Sequence, residues 1–378
     1  MASTVIIGPA HPLRGGLASF DERLTRAFME AGWDAEIFTF SLQYPGFLFP
    51  GTTQYSDEPA PSNLNIKVCI NSINPFNWIR IGNLLRKKKP DLVIVRYWLP
   101  FMGPCLGTIL NRVKKNNFTR IICIADNVIP HEKRPGDKWF TRYFLKSPHA
   151  FITMSEKVNN DLLTFKPEAK FKIVDHPLYD NFGDKIDVSS ARDFLEISKT
   201  AKIALFFGFI RKYKGLDLLI KAFADPILKN SEIKLVVAGE FYEDAQPYLD
   251  LITTLNVQDK IILRTHFIAD SEVKYYLSSC DVVVQPYKNA TQSGVTPLAY
   301  HFEKPMIVTN VGALPQLVPH EKVGLVCEPN AKDIASAIKH FFDYPPGHFQ
   351  KNLLEEKKKL SWPALISSIL SLQHDLEK

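Results

Sequence analysis

The sequence predicts an α/β protein built from two doubly wound parallel sheets, and three observations carry that expectation. Short apolar, β-branched runs alternate with amphipathic stretches of helical period. The alternation breaks at a polar connector and resumes at Ala201. The 378 residues suffice for two domains, each with a core of its own. The expected organisation is a first domain over 1–184, a linker over 185–200, a second domain over 201–360 and a terminal helical segment over 361–378.

In the first domain, residues 4–7 read as a strand and residues 17–31 as a helix with Leu24, Phe28 and Met29 on its apolar side. The turn between them lacks GxGxxG, which removes the main support for a nicotinamide dehydrogenase. Its Gly15 and Gly16 either let the backbone approach a ligand or serve only the turn. A strand at 34–40 leads into a Pro- and Gly-rich excursion over 44–62, too long for a plain connection and read as a surface loop near a site. Helix 75–89, strand 91–95, helix 106–115 and strand 120–125 continue the alternation. The turn that follows holds Asp126, Asn127, His131 and Glu132 at the carboxyl edge of the sheet, where such folds present functional side chains. Capping of the turn is the competing reading of Asp126 and Asn127. Strand residues after 150 then run into Ser155, an N-cap for the next helix.

The second domain should contain strands at 203–207, 233–237, 261–263, 282–285 and 306–309, with helices between them, one at 333–342 and a last one at 363–376. Two stretches stand out. In residues 205–223 a buried strand enters Gly208, and Arg211 and Lys214 then stand at the start of an amphipathic helix. In residues 289–318 a polar run caps a helix over 295–301, whose first amides suit an anion, and Gly312 opens a second turn beyond strand 306–309. An ordinary strand-helix unit is the competing reading of this second stretch.

Composition narrows the class. Hydrophobic residues make up 46% and charged residues 23%, as in a soluble globular protein. No apolar run is long enough to cross a bilayer and no signal-peptide layout precedes the first strand, so a cytoplasmic protein is expected. Five scattered cysteines predict reduced core residues, with no disulfide framework and no metal site. The net charge of +6 is uneven: residues 1–185 hold 24 Lys and Arg against 17 Asp and Glu, about +7, and the remainder is near −1. Clusters at Arg86, Lys87, Lys88 and Lys89 and at Arg112, Lys114 and Lys115 lie near Trp98 and Phe101 in sequence. They suit either an anionic membrane surface or lipid diphosphate, or else plain solvated helix ends. No nucleic-acid-binding signature accompanies them.

Taken together, the Gly15-Gly16 turn, the Lys214-Gly215 helix start, VVAGE at 236–240, CDVVVQP at 280–286 and the 289–318 stretch resemble the retaining glycosyltransferases of family 4. The resemblance covers nearly the whole chain, and it rests on the order and spacing of these motifs. It implies an α/β GT-B fold, two Rossmann-like domains facing across a cleft, with the acceptor on the N-terminal side and the nucleotide sugar on the C-terminal side. The helix in 361–378 would cross back to the first domain. The implied function is retaining transfer of a hexosyl or N-acetylhexosaminyl group from a nucleotide-diphosphate donor to a glycan or lipid-linked acceptor in surface polysaccharide biosynthesis. The donor is a substrate, so no cofactor is implied and no metal is required, since fixed positive groups would receive the departing diphosphate.

The resemblance places Arg211 and Lys214 on the phosphates, with the amides of Gly294, Val295 and Thr296 opposite. Gly15, Gly16, Gly208, Gly239 and Glu240 would line the donor, Phe267 and Ile268 would meet the base, and Gln292 and Ser293 the sugar. Asp126 and His131 are the catalytic candidates of the first domain, and Asn127 and Glu132 the acceptor-binding ones. The chain departs from the family in three places. Phe209 stands where an arginine is usual, Asp126-Asn127 where a histidine commonly precedes an acid, and Thr291 and Ala299 where two glutamates are typical. These departures keep open a nucleotide-sugar-binding subunit without turnover, and a sugar-nucleotide epimerase or phosphorylase also shares the fold.

Overall fold

A computed structural model describes residues 1–46, 53–130, 134–290 and 293–377. The chain divides into two compact units, Met1–His176 with Ser361–Lys378, and Pro177–Leu360. In chain order the first unit contains β1 (Ser3–Ile7), α1 (Gly16–Glu30), β2 (Asp34–Leu42), β3 (Asn65–Asn71), α2 (Pro75–Lys88), β4 (Leu92–Tyr97) and α3 (Gly103–Lys114). It continues with β5 (Arg120–Ala125), α4 (Asp137–Leu145), β6 (Ala150–Thr153), α5 (Glu156–Phe165) and β7 (Lys170–Ile173).

The seven strands of this unit are parallel in the order β3-β2-β1-β4-β5-β6-β7. The central strands are nearly continuous apolar runs because helices cover both faces. Ile6, Ile37 and Ile94 are aligned across β1, β2 and β4, all buried. The edge strands β3 and β7 carry Lys67, Lys170 and Lys172, which discourages pairing with another edge and also hides both strands from an apolar-run reading of the sequence. Ser155 caps α5, its Oγ accepting from Val158 N at 3.3 Å.

The second unit runs α6 (Val188–Phe194), β8 (Lys202–Phe207), α7 (Leu216–Ala224), α8 (Pro226–Lys229), β9 (Ile233–Ala238), α9 (Gln246–Thr254), β10 (Ile261–Arg264) and α10 (Val273–Ser279). It continues with β11 (Val282–Gln285), α11 (Val295–His301), β12 (Met306–Thr309), α12 (Leu314–Leu317), β13 (Gly324–Cys327), α13 (Ala331–Asp343) and α14 (Gln350–Lys357). Its sheet is parallel in the order β10-β9-β8-β11-β12-β13. The final helix, α15 (Trp362–Asp375), belongs to the first unit.

The stretch 185–200, read from its polar composition as a linker, is built into the second unit. Arg192 is buried and donates to Ser279 O at 2.9 Å and Lys199 O at 2.6 Å, and Ile186 N donates to Ser278 Oγ at 3.2 Å. Tyr179 and Phe182 are buried as well, so the division falls at His176–Pro177. Each of the three Arg192 guanidinium nitrogens donates to a local acceptor, the third to Asp281, which permits burial that composition does not show.

The five cysteines are all free thiols, and burial raises the thiol pKa of Cys280 to about 12. Among the described residues no helix is long and apolar enough to cross a membrane.

Candidate functional site

In the second unit the strand order reverses direction between β8 and β11, and open parallel sheets bind ligands in the crevice beyond the strand ends at such a switch point. The loops after these two strands therefore border that crevice. β8 ends at Gly208, whose φ of 95° belongs to glycine. Beside it, Gly239 closes β9 so tightly that a Cβ there would lie 2.3 Å from Gly208 O. From Gly208 the chain stays paired with the segment after β9: Ile210 N donates to Glu240 O at 2.8 Å, and Tyr242 N to Ile210 O at 3.0 Å. One tight turn, Lys212–Lys214, then delivers the chain to α7.

The loop after β11 is pinned to this turn. Lys288 N donates to Tyr213 O at 2.7 Å, and a Cβ on Gly215 would stand 1.9 Å from Pro286 O. Lys214 is consequently buried, and its side chain lies over Gly208: a Cβ on that glycine would be 3.1 Å from Lys214 Nζ and 3.6 Å from Val295 Cγ2. Strand end, ammonium and the first residue of α11 meet at one point. Burial, and secondarily the charge of Arg211, lowers the Lys214 pKa to about 7.

Arg211 stands on the other side of the turn with its guanidinium carbon 5.2 Å from the Tyr242 ring centroid. Tyr242 packs on Phe209 at 4.1 Å, and Phe209 lies near-parallel to Phe267 at 6.3 Å. Phe267, Phe209 and Tyr242 thus form a row ending at a cation, next to buried Glu240 and Ile268.

At the start of α11 lies a polar hub around Gln285, a residue to which the sequence reading gave no role. Ser293 Oγ donates to Gln285 Oε1 at 2.6 Å and Thr296 Oγ1 donates to the same oxygen at 3.2 Å, while Val295 N donates to Ser293 Oγ at 3.2 Å. The available signal was a glutamine ending the apolar run VVVQ. Among the described residues its buried Nε2 has no partner. Gly294 stays exposed next to Tyr179, and Gly312 (φ 54°) packs where a Cβ would meet Ala290 O at 1.8 Å, so the two glycine turns lie side by side. Thr291 and Gln292 lie outside the described residues. Ala299 is fully buried.

In the first unit, both carboxylate oxygens of Asp126 accept from Arg96, Oδ2 from Nε and Oδ1 from Nη2, each at 2.5 Å. The same guanidinium lies 3.6 Å from Asp21 and 3.8 Å above the Phe20 ring, and burial pushes the Asp21 pKa up. Asp126 is therefore a member of a buried ionic cluster. Its partner Arg96 was visible only as an arginine inside the strand LVIVRY. Asn127 is half-buried, His131 and Glu132 lie outside the described residues, and Gly15 (φ 100°) caps α1, which starts at Gly16. Among the described residues no group of three or more His, Cys, Asp or Glu is placed to hold a metal ion.

Residues 187–360 match the family described as glycosyl transferases group 1. The matched residues fall within the second unit. An uncharacterized glycosyltransferase of Methanocaldococcus jannaschii is 28% identical over 228 residues, covering 56% of this chain and 56% of that protein. A GDP-mannose:glycolipid 4-beta-D-mannosyltransferase of Xanthomonas campestris is 30% identical over 209 residues, covering 54% of this chain and 53% of its own length. The chain thus spans about half the length of these curated relatives. The fold is shared over its whole length: sucrose-phosphate synthase of Thermosynechococcus elongatus superposes with a TM-score of 0.77 at 17% identity, covering 100% of this chain and 99% of that one. The architecture is α/β GT-B. In the second unit, Gly208, Arg211, Lys214, Gly239, Ser293, Val295 and Thr296 are gathered around the β8/β11 switch point, whereas Gly15, Gly16, Asp126 and Asn127 belong to the other unit.

Proposed function

We propose that the protein transfers a hexosyl or N-acetylhexosaminyl group from a nucleoside-diphosphate donor to a glycan or lipid-linked acceptor. It would act in surface polysaccharide biosynthesis at the cytoplasmic face of a membrane, with retention of configuration and without a metal ion. One observation carries the reading: the Lys214 ammonium meets Gly208 and Val295 at the β8/β11 switch point, in a turn that Arg211 opens. Cleavage of the sugar-phosphate bond leaves charge on the diphosphate while the anomeric carbon becomes cationic. Two fixed cations in a water-poor site stabilise that charge without reorganising. The row Phe267, Phe209 and Tyr242 offers flat surfaces for a base, and the name of the Xanthomonas relative, which includes GDP-mannose, supports a nucleotide-sugar donor.

A panel of nucleotide sugars, scored for binding, hydrolysis and transfer with and without chelator, tests this. The expected outcome is turnover of one donor, unchanged by chelator, with the product's anomeric configuration matching the donor's by proton NMR. An inverted product removes the retaining step, and loss of turnover in chelator removes metal independence. A specific observation favours a second reading. Position 299 holds a fully buried alanine, so no carboxylate acts from the place where the family-4 resemblance implies a glutamate. Tight donor binding with neither hydrolysis nor transfer would identify a nucleotide-sugar-binding subunit.

A further inference from the structure

Between α4 and α5 of the first unit lies a cavity of about 750 Å³. Neighbouring helices on one face of a sheet ordinarily interlock. Here α4 is drawn instead onto α3. A Cβ on Gly103 would come within 2.5 Å of Phe140 O and one on Gly107 within 2.7 Å of the Tyr143 ring, and the Tyr143 hydroxyl is 3.0 Å from Thr108 Oγ1. The space left on the α5 side has apolar walls from Val128, Pro130 and Phe165. Its rim carries three cations, Arg134, Lys138 and Arg142. The acid in the lining, Asp137, is engaged at the helix start, where its carboxylate accepts from Arg134 N at 2.7 Å. Trp139 borders the opening and is 77% exposed.

We propose that this cavity binds the headgroup and first carbons of a lipid that carries a phosphate or diphosphate, serving as the acceptor end of the reaction. The proposal rests on the reading of the protein as a transferase with a lipid-linked acceptor. Three cations with one committed acid select an anion. The volume is that of sites for molecules much larger than a lone phosphate, and the apolar walls require hydrocarbon to fill them. An exposed tryptophan with cations around it suits the boundary between lipid and water. The basic cluster at the end of α2 is a weaker candidate, because Lys88 is committed to Glu36 at 2.9 Å.

The test is flotation of the full chain with phosphatidylcholine vesicles of three kinds: plain, doped with a prenyl diphosphate, and matched to the doped ones in charge with phosphatidylglycerol. Nucleotide-sugar binding is measured on the same preparation. The expected result is retention on prenyl-diphosphate vesicles about tenfold above the charge-matched ones. The Lys138→Gln/Arg142→Gln double variant should lose that margin and Lys138→Arg/Arg142→Lys should keep it, which separates lost charge from lost folding. Equal retention on phosphatidylglycerol vesicles overturns the proposal in favour of a general anionic surface. Binding of inorganic pyrophosphate as tightly as the prenyl diphosphate overturns it in favour of a free-anion site, and absence of flotation overturns it outright. If the wild-type chain binds nucleotide sugar but no lipid, only this inference falls; if it binds lipid but no nucleotide sugar, the transferase reading falls and the acceptor role with it.

Discussion

Burial lowers the Lys214 pKa from 10.5 to about 7, with Arg211 adding a smaller push in the same direction. An arriving diphosphate favours the charged form, so binding must draw a proton onto the lysine wherever the empty site has lost it. Donor affinity should therefore be greatest below about pH 7 and fall by up to about tenfold per pH unit above it. Calorimetry in buffers of different ionisation enthalpy reads the proton uptake directly; a flat profile between the two limits would remove Lys214 from the phosphates. Lys214→Met should flatten the profile and lower turnover by about a hundredfold to a thousandfold. The same shift acts on folding. The native chain binds fewer protons than the unfolded one between about pH 7 and 10.5, so the residue's stability cost is full below pH 7 and is relieved as pH rises through that window. Gln285 makes a second case, since Gln285→Leu leaves two buried hydroxyls without their acceptor. A loss of about 1 to 3 kcal/mol is expected in urea unfolding. The place of Lys214 beside a strand end could be read from sequence because the strand, Gly208 and the cation fall close together along the chain. Gln285 and Arg96 could not, because their partners lie eight or more residues away and only the fold supplies them.

Two glycines separate backbone strain from steric closure at the level of the loop and helix. Gly215 (φ 71°) and Gly347 (φ 81°) both occupy the left-handed region, but a Cβ on Gly215 would collide with Pro286 O whereas one on Gly347 would meet nothing within 4 Å. Gly347→Ala should cost about 1 kcal/mol from conformation alone. Gly215→Ala should cost several times that and displace Lys214, because the loops after β8 and β11 can no longer close; equal losses in urea unfolding would show that they are not pinned there. The elements carrying these loops were legible, since β8, β11 and β12 are bounded apolar runs and α11 follows a polar run, its N-cap being Gly294. α4 was not. Its DKWFTRYFL is rich in aromatics that form helices weakly, and its helicity depends on packing against Gly103 and Gly107 of a helix more than thirty residues earlier.

The first unit is completed by a segment from the far end of the sequence. Helix α15 buries Trp362, Leu365, Ile366, Ile369 and Leu372 in that unit, with Trp362 5.0 Å from the Phe20 ring and Arg23 5.1 Å above the indole. Lys172 Nζ donates to Ser371 Oγ at 2.7 Å, tying the same helix to the lysine-bearing edge strand β7. At about 1.5 to 3 kcal/mol per buried apolar side chain these five contribute on the order of 10 kcal/mol, comparable with the whole stability of a typical domain. Deleting residues 361–378 should therefore unfold or severely loosen residues 1–176. The second unit is continuous in sequence over 177–360. Hydrogen exchange followed by mass spectrometry distinguishes the outcomes: protection should collapse across β1, β5 and β7 and persist across β8, β9 and β11. Uniform loss across both sheets would mean that the units fold as one cooperative body, and the second sheet would then owe its stability to the first.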